Sequence, residues 1–429
     1  MIARIEALNY RCLRYVAQEL APFNVLVGPN GSGKSTFLDV VALLGEFLAH
    51  GLDEAILLGS DPSRQRGRAS RVEELFFQGK GDRFELVVEL DIPAGLRATG
   101  RNGQYERIRY EVALGRSPES QELTIVAETL WLKPRKLRRV ERQASLFPAE
   151  LPAPETLLTA PFGKHAPSGW RRIVNKIVAS GNDNFQAETT GWNMPFKSGP
   201  RRAALANLPE DRDRFPLALW ARDLLMRGVQ RIALNVESLR RPCSPSLPSR
   251  FSPDGSNLPR VLRELEKNEP ERFKDWVSHV RTILPDVSHV EVAARPEDNH
   301  LYLRVHHRGG DPVSSWLLSD GTLRMLVLTL LPYLVVKENV YLIEEPENGV
   351  HPRAIEAIHD SLSSVYDNQV LLATHSPLVL GRSQPDELLC FTRTEDGAAV
   401  VVRGSEHPRL RDWQGEVDLA TLYAAGVLS

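Results

Sequence analysis

Gly28-Pro-Asn-Gly-Ser-Gly-Lys-Ser-Thr36 is the stretch on which the reading of the chain turns. It fits G-x-x-x-x-G-K-[ST], and its flanks are those the pattern needs. Phe23-Asn-Val-Leu-Val27 reads as a buried strand entering it, and Phe37-Leu-Asp-Val-Val-Ala-Leu-Leu44 as a helix leaving it. Such a loop cradles phosphate. Gly28, Gly31 and Gly33 allow a turn tight enough for successive N–H groups to face one anion, which the helix N-terminus also attracts. Lys34 is placed to reach terminal phosphates, Ser35 to offer its hydroxyl to Mg2+, and Thr36 lies near the phosphates at the helix start. A glycine-rich turn carrying a lysine by chance would lack this register of strand, loop and helix.

A chain of 429 residues has room for two or three domains, or for one large cassette with an insertion. With 42% hydrophobic and 25% charged residues it has an ordinary globular composition. No apolar run approaches the roughly 18 to 20 residues of a membrane helix. Met1-Ile-Ala-Arg-Ile-Glu-Ala-Leu8 alternates like an edge strand and lacks the form of a signal peptide, so a cytoplasmic protein without a membrane partner is expected. Cys12, Cys243 and Cys390 are far apart, share no metal-ligand spacing and read as reduced thiols.

The formal net charge of −2 conceals a segregation. Between Trp131 and Arg250 there are 21 Lys and Arg against 10 Asp and Glu, so the middle is basic and the remainder acidic. A segment meeting a polyanion has this character, and so does a solvated basic arm.

Arg83–Asp91 alternates with period two, and Leu123–Trp131 and a shorter run near Arg107–Ala113 read as further strands of an antiparallel layer. After Lys133-Pro-Arg-Lys-Leu-Arg-Arg139, proline-rich connectors bracket a mixed section whose clearest element is an amphipathic helix, Leu217–Leu225. We read an N-terminal half over 1–131, a basic, largely helical or irregular insertion over 132–255, and a C-terminal half over 256–429. The last contains helices at Ser256–Glu266 and Arg272–Leu284, strands at His289–Ala293 and His300–His306, and then βαβ logic. Val340–Ile343 is a buried strand ending in acids, Arg353–Val365 a helix, and Val370–Ala373 a buried strand ending near His375. The fold class is α/β with a mixed sheet.

The strand at Val340–Ile343 delivers Glu344 and Glu345 to its end, one acid to hold Mg2+ and one to orient and deprotonate an attacking water; we assign the metal to Glu344 and the water to Glu345. His375 closes a third apolar strand, where a histidine can touch the terminal phosphate and the water. Leu318-Ser-Asp-Gly-Thr322 is, by itself, ordinary turn chemistry capping an apolar helix.

In order, GPNGSGKST, LSDGT, YLIEEPENGVHP and LLATHSP resemble the Walker A, signature, Walker B with D-loop, and switch-histidine motifs of ATP-binding-cassette ATPases. The resemblance is to the SMC/RecF-like branch, and within it to short bacterial AAA-type, OLD-like and Septu PtuA-like ATPases found beside nucleases in DNA repair and phage defence. It covers roughly residues 1 to 130 and 256 to 390. It implies a P-loop cassette binding ATP and Mg2+ through Gly28, Asn30, Gly31, Gly33, Lys34, Ser35 and Thr36, with Arg11 or Arg14 as a candidate adenosine contact and Gln78 as a candidate Q-loop metal contact, though an exposed loop glutamine is the better reading of Gln78. Ser319 and Gly321 would act on the nucleotide of a second subunit, with Asn348 to His351 at that homodimer interface. Glu344 stands where the family has aspartate, Asp320 where its signature has glycine, and Thr322 replaces the last signature position. The 54 residues after His375 leave too little room for a fused Toprim domain, so cutting would fall to a separate nuclease or effector.

The resulting expectation is an Mg-dependent ATPase that dimerises on ATP and regulates a DNA-directed or nuclease partner. An ATP-sensing scaffold with little turnover and the nucleotide-binding subunit of a transporter are its rivals; the order of the motifs argues against a small-molecule kinase. Lys133, Arg135, Lys136, Arg138 and Arg139, with Arg171, Arg172, Arg201 and Arg202, could track DNA phosphates. A solvated face, or a dock for an acidic protein, fits the same residues.

Overall fold

The computed structural model describes residues 1–58, 67–97, 104–117, 119–134, 152–161, 165–177, 182–410 and 418–426. Met1–Val229, Pro385–Gln414 and Leu428–Ser429 form one compact unit, and Gln230–Gln384 with Gly415–Val427 a second. The segment 132–255 read from composition runs across that division.

The first unit begins with strands β1 (Ile2–Tyr10), β2 (Leu13–Glu19) and β3 (Phe23–Val27), then helix α1 (Lys34–His50). Strand β3 is buried at every position, as its unbroken apolar run requires, and α1 is apolar almost all round. Next come β4 (Arg83–Asp91), the short α2 (Ala94–Arg97), β5 (Tyr105–Arg116) and β6 (Leu123–Pro134). Strands β7 (Arg171–Ile177), β8 (Asn182–Gln186) and β9 (Asn193–Phe196) precede α3 (Pro216–Asp223), which opens on a proline as helices often do.

The second unit contains β10 (Val229–Ile232), α4 (Val236–Arg240), α5 (Leu258–Asn268), α6 (Pro270–Ile283), β11 (Val287–Ala294), β12 (Leu301–His307) and β13 (Val313–Ser314). It continues through α7 (Asp320–Leu328), β14 (Val340–Glu344), α8 (Pro352–Ser363), β15 (Gln369–Ala373) and α9 (Pro377–Arg382). Pro270 starts α6, two residues before the expected helix at Arg272, because proline suits a first helical turn whose N–H groups have no helical acceptor. The chain returns to the first unit for β16 (Leu388–Arg393) and β17 (Ala399–Arg403), and to the second for α10 (Leu419–Ala424). Among the described residues no helix is long and apolar enough to cross a membrane.

Within the first unit, eight strands form an antiparallel sheet in the order β2-β1-β4-β5-β6-β7-β8-β9. Period two sends Phe84, Leu86, Val88 and Leu90 of β4 to one face, and Glu85, Val87 and Glu89 to the other. On the apolar side α1 is anchored by Asp39, which accepts from Tyr10 Oη at 2.7 Å and from Arg68 Nε at 2.9 Å. The other face is a buried charge network. Arg109 donates to Glu6 at 2.8 Å, Glu89 at 3.1 Å and Glu111 at 2.6 Å. Residues 152–161 lie over it, with Arg109 also bonded to the Leu157 carbonyl and the Thr159 amide to Glu111. Strand β3 belongs to a second, mixed arrangement, parallel to β16, which is antiparallel to β17.

Where sequence reading placed a helical or irregular insertion, β7, β8 and β9 extend the antiparallel sheet. Their alternation is obscured because Ile173 and Val174 are both buried, and because Lys176 and Asp183 form a buried pair at 2.9 Å across adjacent strands. A pairing between two segments is invisible in either one alone.

In the second unit, β14 and β15 pair in parallel through the crossover helix α8, so the ends of both strands point the same way. Strands β11, β12 and β13 form a separate three-stranded sheet.

Candidate functional site

The phosphate loop is built in the first unit. Gly28, Gly31 and Gly33 have φ of 146°, 74° and 109°, values that side-chain-bearing residues rarely adopt. Space is as restrictive as geometry. A Cβ on Gly28 would lie 2.2 Å from the Phe391 carbonyl oxygen, and one on Gly33 would lie 2.7 Å from Ala399 Cβ and 3.2 Å from Cys12 Sγ. Lys34 is buried, its Nζ donating to the carbonyls of Gly28 at 2.7 Å and Pro29 at 3.0 Å. Ser35 is exposed and Thr36 half-buried in the first turn of α1, while Asn30 and Gly31 form the exposed tip. Ser32 Oγ is buried with no partner among the described residues. Glycine walls that exclude any side chain, with an orphaned hydroxyl beside them, fit a polyphosphate.

Arg11 and Arg14 sit on the turn between β1 and β2 and its start. Arg11 donates to the Arg68 carbonyl, lies 3.6 Å from Asp39 and caps the Tyr10 ring. Arg14 pairs with Asp396 at 2.9 Å, and Gln78 donates its amide to the Asp396 carbonyl at 2.8 Å. The structure thus gathers Arg14 and Gln78 on the β16–β17 turn, a convergence that no local motif announces.

In the second unit, β14 ends in Glu344, whose Oε1 is 2.5 Å from Arg231 Nη2 of β10. Glu345 follows with φ of 48°, its amide bonded to the Ala373 carbonyl at 2.8 Å and its carboxylate accepting from Asn348. A left-handed conformation at a glutamate costs about 1–3 kcal/mol, and such strain collects at functional sites. His375 Nε2 lies 3.9 Å from Glu345 Oε1, so the water-assigned acid and the switch histidine adjoin. Glu347 joins the two strand ends by accepting from Thr374 Oγ1 at 2.7 Å and from the His375 amide at 3.0 Å. On the other side of the imidazole, Tyr423 Oη of α10 is 3.4 Å from Nδ1. Arg231, Glu347 and Tyr423 were missed by sequence reasoning, since each reaches the site through a distant segment or a role no motif records.

Ser319 is the N-cap of α7, its Oγ accepting from the Thr322 amide at 3.2 Å and lying 2.9 Å from Thr322 Oγ1. Thr322 therefore completes the cap. A Cβ on Gly321 would lie 2.8 Å from the Gly349 carbonyl, so the signature turn and the Asn348–His351 segment are in tight backbone contact. Asp320 is held by Arg240, which also donates to the Leu318 carbonyl at 3.2 Å.

The basic residues correct an expectation. Lys133 is buried on the charged face of the sheet, bonded to Glu89 and set 4.9 Å from the centre of the Trp170 ring, so it cannot track a nucleic-acid backbone. Arg171 donates to the carbonyls of Ala187 and Thr190, Arg172 lies over Trp131, and Arg201 pairs with Asp53 and Glu122. Arg202 is exposed. Arg135, Lys136, Arg138 and Arg139 lie outside the described residues. The three cysteines are free; burial pushes the Cys390 thiol up to about 12, leaving it inert.

A strand–loop–helix phosphate cradle, a parallel strand pair ending in acids and a histidine, and a capped signature turn define a P-loop ATPase of the ABC type. Residues 23–381 match the family described as "AAA domain, putative AbiEii toxin, Type IV TA system", and the chain belongs to it and is an ATPase. Among solved structures the fold is similar to an Smc head bound to the C-winged helix domain of ScpA, with TM-score 0.52, 13% identity, and coverage of 94% of this chain and 96% of that one. Two further Smc heads align, one bound to a ScpA C-terminal domain derived from Pyrococcus furiosus (TM-score 0.49, 13% identity, coverage 94% and 95%) and one from Thermotoga maritima (0.40, 12%, 94% and 98%). No curated protein matches the chain.

Proposed function

We propose that this chain binds ATP through Gly28, Asn30, Gly31, Gly33, Lys34, Ser35 and Thr36, and hydrolyses it with Glu345 activating water and His375 sensing the terminal phosphate. The observation that carries this reading is Glu345 itself, a strained acid at a strand end with His375 beside it. For Mg2+ the residues fit. A serine hydroxyl and a glutamate are hard oxygen donors, and Mg2+ takes few protein ligands beside phosphates and water. Accordingly, no ready-made cluster of three or more acids, histidines or cysteines occurs among the described residues. Ser35 and Glu344 would hold the ion, which supplies charge neutralisation on the phosphates, and Glu344 would exchange Arg231 for it. The Gln78 amide, already bonded to Asp396, would have to turn to serve as a metal contact.

We further propose a homodimer in which Ser319 and Gly321 complete the nucleotide site of the second copy, so that only the ATP state closes it. That cycle governs a partner in DNA repair or anti-phage defence in the cytoplasm, and the family description's type IV TA system supports the defence side. Among the described residues Lys133, Arg171, Arg172 and Arg201 are engaged within the fold, which favours a protein partner over direct DNA contact through these four. The Smc head's complex with ScpA is a precedent for such a partner on this fold.

The test is ATP turnover with and without duplex DNA, alongside solution mass with ATP for the parent, Lys34→Ala and Glu345→Gln. Lys34→Ala should lose ATP binding, and Glu345→Gln should bind ATP and accumulate as a dimer. A monomeric Glu345→Gln protein, at concentrations where the parent dimerises, overturns the composite site. Turnover indifferent to DNA directs the search to a protein effector.

A further inference from the structure

The three glycines of the phosphate loop each face one residue of the β16–β17 hairpin. The register explains why. Leu388, Leu389 and Cys390 pair in parallel with Val25, Leu26 and Val27, so β16 keeps running beside the chain as β3 turns into the loop. Phe391 presses its carbonyl on Gly28, and Ala399 its methyl on Gly33. At Gly31 the approach differs. Arg393 Nη2 lies 3.8 Å, and its Cζ 4.0 Å, from where a Cβ would stand, so the tip of the loop is flanked by a guanidinium.

Among the described residues this arginine has no acid of its own. It is exposed, and its side chain makes no hydrogen bond or ion pair among the described residues. Of the two acids on the hairpin turn, Asp396 is engaged by Arg14 at 2.9 Å and by Thr394, while Glu395 is exposed and forms no ion pair with Arg393. The Arg393 backbone is fixed, since it forms the last pair of the hairpin, with Ala399. Its charge adds to a region already positive from Lys34 and the N-terminus of α1, which is unfavourable unless an anion arrives. A second observation points the same way: Ser32 Oγ, 3% exposed and partnerless, is buried in the same loop.

We propose that Arg393 is a phosphate-binding residue of the nucleotide site, acting from the hairpin of its own chain on the polyphosphate at the Gly31 side of the loop. The proposal rests on the reading of Gly28–Thr36 as that site. A guanidinium offers paired donors that match phosphate oxygens, which a lysine supplies only as a point charge.

The experiment is equilibrium binding of a fluorescent ATP analogue, competed with ATP, ADP and inorganic tripolyphosphate, for the parent, Arg393→Ala, Arg393→Lys and Lys34→Ala. Loss of one charged hydrogen-bonding group should weaken ATP roughly tenfold in Arg393→Ala. Tripolyphosphate should weaken in proportion, Arg393→Lys should recover only part, and thermal unfolding should stay as in the parent. Parent-like ATP affinity in Arg393→Ala overturns the proposal. So does weakened ATP with unchanged tripolyphosphate competition, which would place the arginine on the base or ribose. If Lys34→Ala also binds like the parent, the loop reading itself has failed, a result distinct from failure at Arg393 alone.

Discussion

Tyr423 Oη stands 3.4 Å from Nδ1 of His375, and the opposite ring nitrogen of that histidine faces Glu345 at 3.9 Å. A hydroxyl on one side of an imidazole sets which nitrogen carries the proton and how the ring is turned. In the proposed mechanism Tyr423 is therefore a positioning residue. Tyr423→Phe should lower kcat roughly two- to tenfold, the size of one hydrogen bond, with KM for ATP unchanged and the pH profile of kcat displaced. Parent-like kcat and pH profile would remove the role.

The close backbone approaches make a second prediction. Gly28→Ala sets a methyl 2.2 Å from the Phe391 carbonyl at a φ of 146°, and backbone cannot yield as a side-chain tip can. Nucleotide binding should be lost and thermal unfolding should fall. Gly321→Ala, with its methyl 2.8 Å from the Gly349 carbonyl, should leave ATP binding intact and depress turnover, because the displaced turn belongs to the signature and not to the cradle. Binding and turnover measured side by side separate the two.

The charged face of the large sheet predicts a pH dependence of stability. Burial raises the carboxyls of Glu6 and Glu89, but Arg109, with Arg4 at Glu6 and Lys133 at Glu89, outweighs it and holds both below the ordinary 4.5. The unfolded chain then binds more protons than the folded one in acid. The contribution is full above about pH 4.5 and is lost as pH falls through the depressed folded values. Arg109→Met leaves Glu6, Glu89 and Glu111 short of a buried cation, and should cost about 3–5 kcal/mol in urea unfolding. It should also shrink the stability lost in acid, because the folded carboxyls then titrate closer to the unfolded ones. An unaltered acid limb would show that these carboxylates do not control it.

The parts of the site that were legible are contiguous in sequence. Gly28–Thr36, Glu344–Glu345 and His375 each follow an apolar run that can only be a buried strand, so type and position emerge together. What stayed hidden depends on pairing. Arg231 reaches Glu344 from 113 positions away and Tyr423 reaches His375 from 48, while Arg393 meets Gly31 only because β16 lies parallel to β3. Lys133 and Arg201 were misread for the same reason. A count of arginines and lysines cannot show that Lys133 has Glu89 beneath it or that Arg201 bridges Asp53 and Glu122.

Lys34 is bonded to the carbonyls of Gly28 and Pro29, and in the proposed nucleotide site it would act as a selectivity filter as well as a hook. An incoming anion has to outcompete two short, neutral oxygen contacts that the loop itself provides. A singly charged ion touching one amide gains little from that exchange, whereas a chain of phosphates takes the lysine and the row of N–H groups together. In the proposed site this exchange would favour a polyphosphate over chloride or a single phosphate.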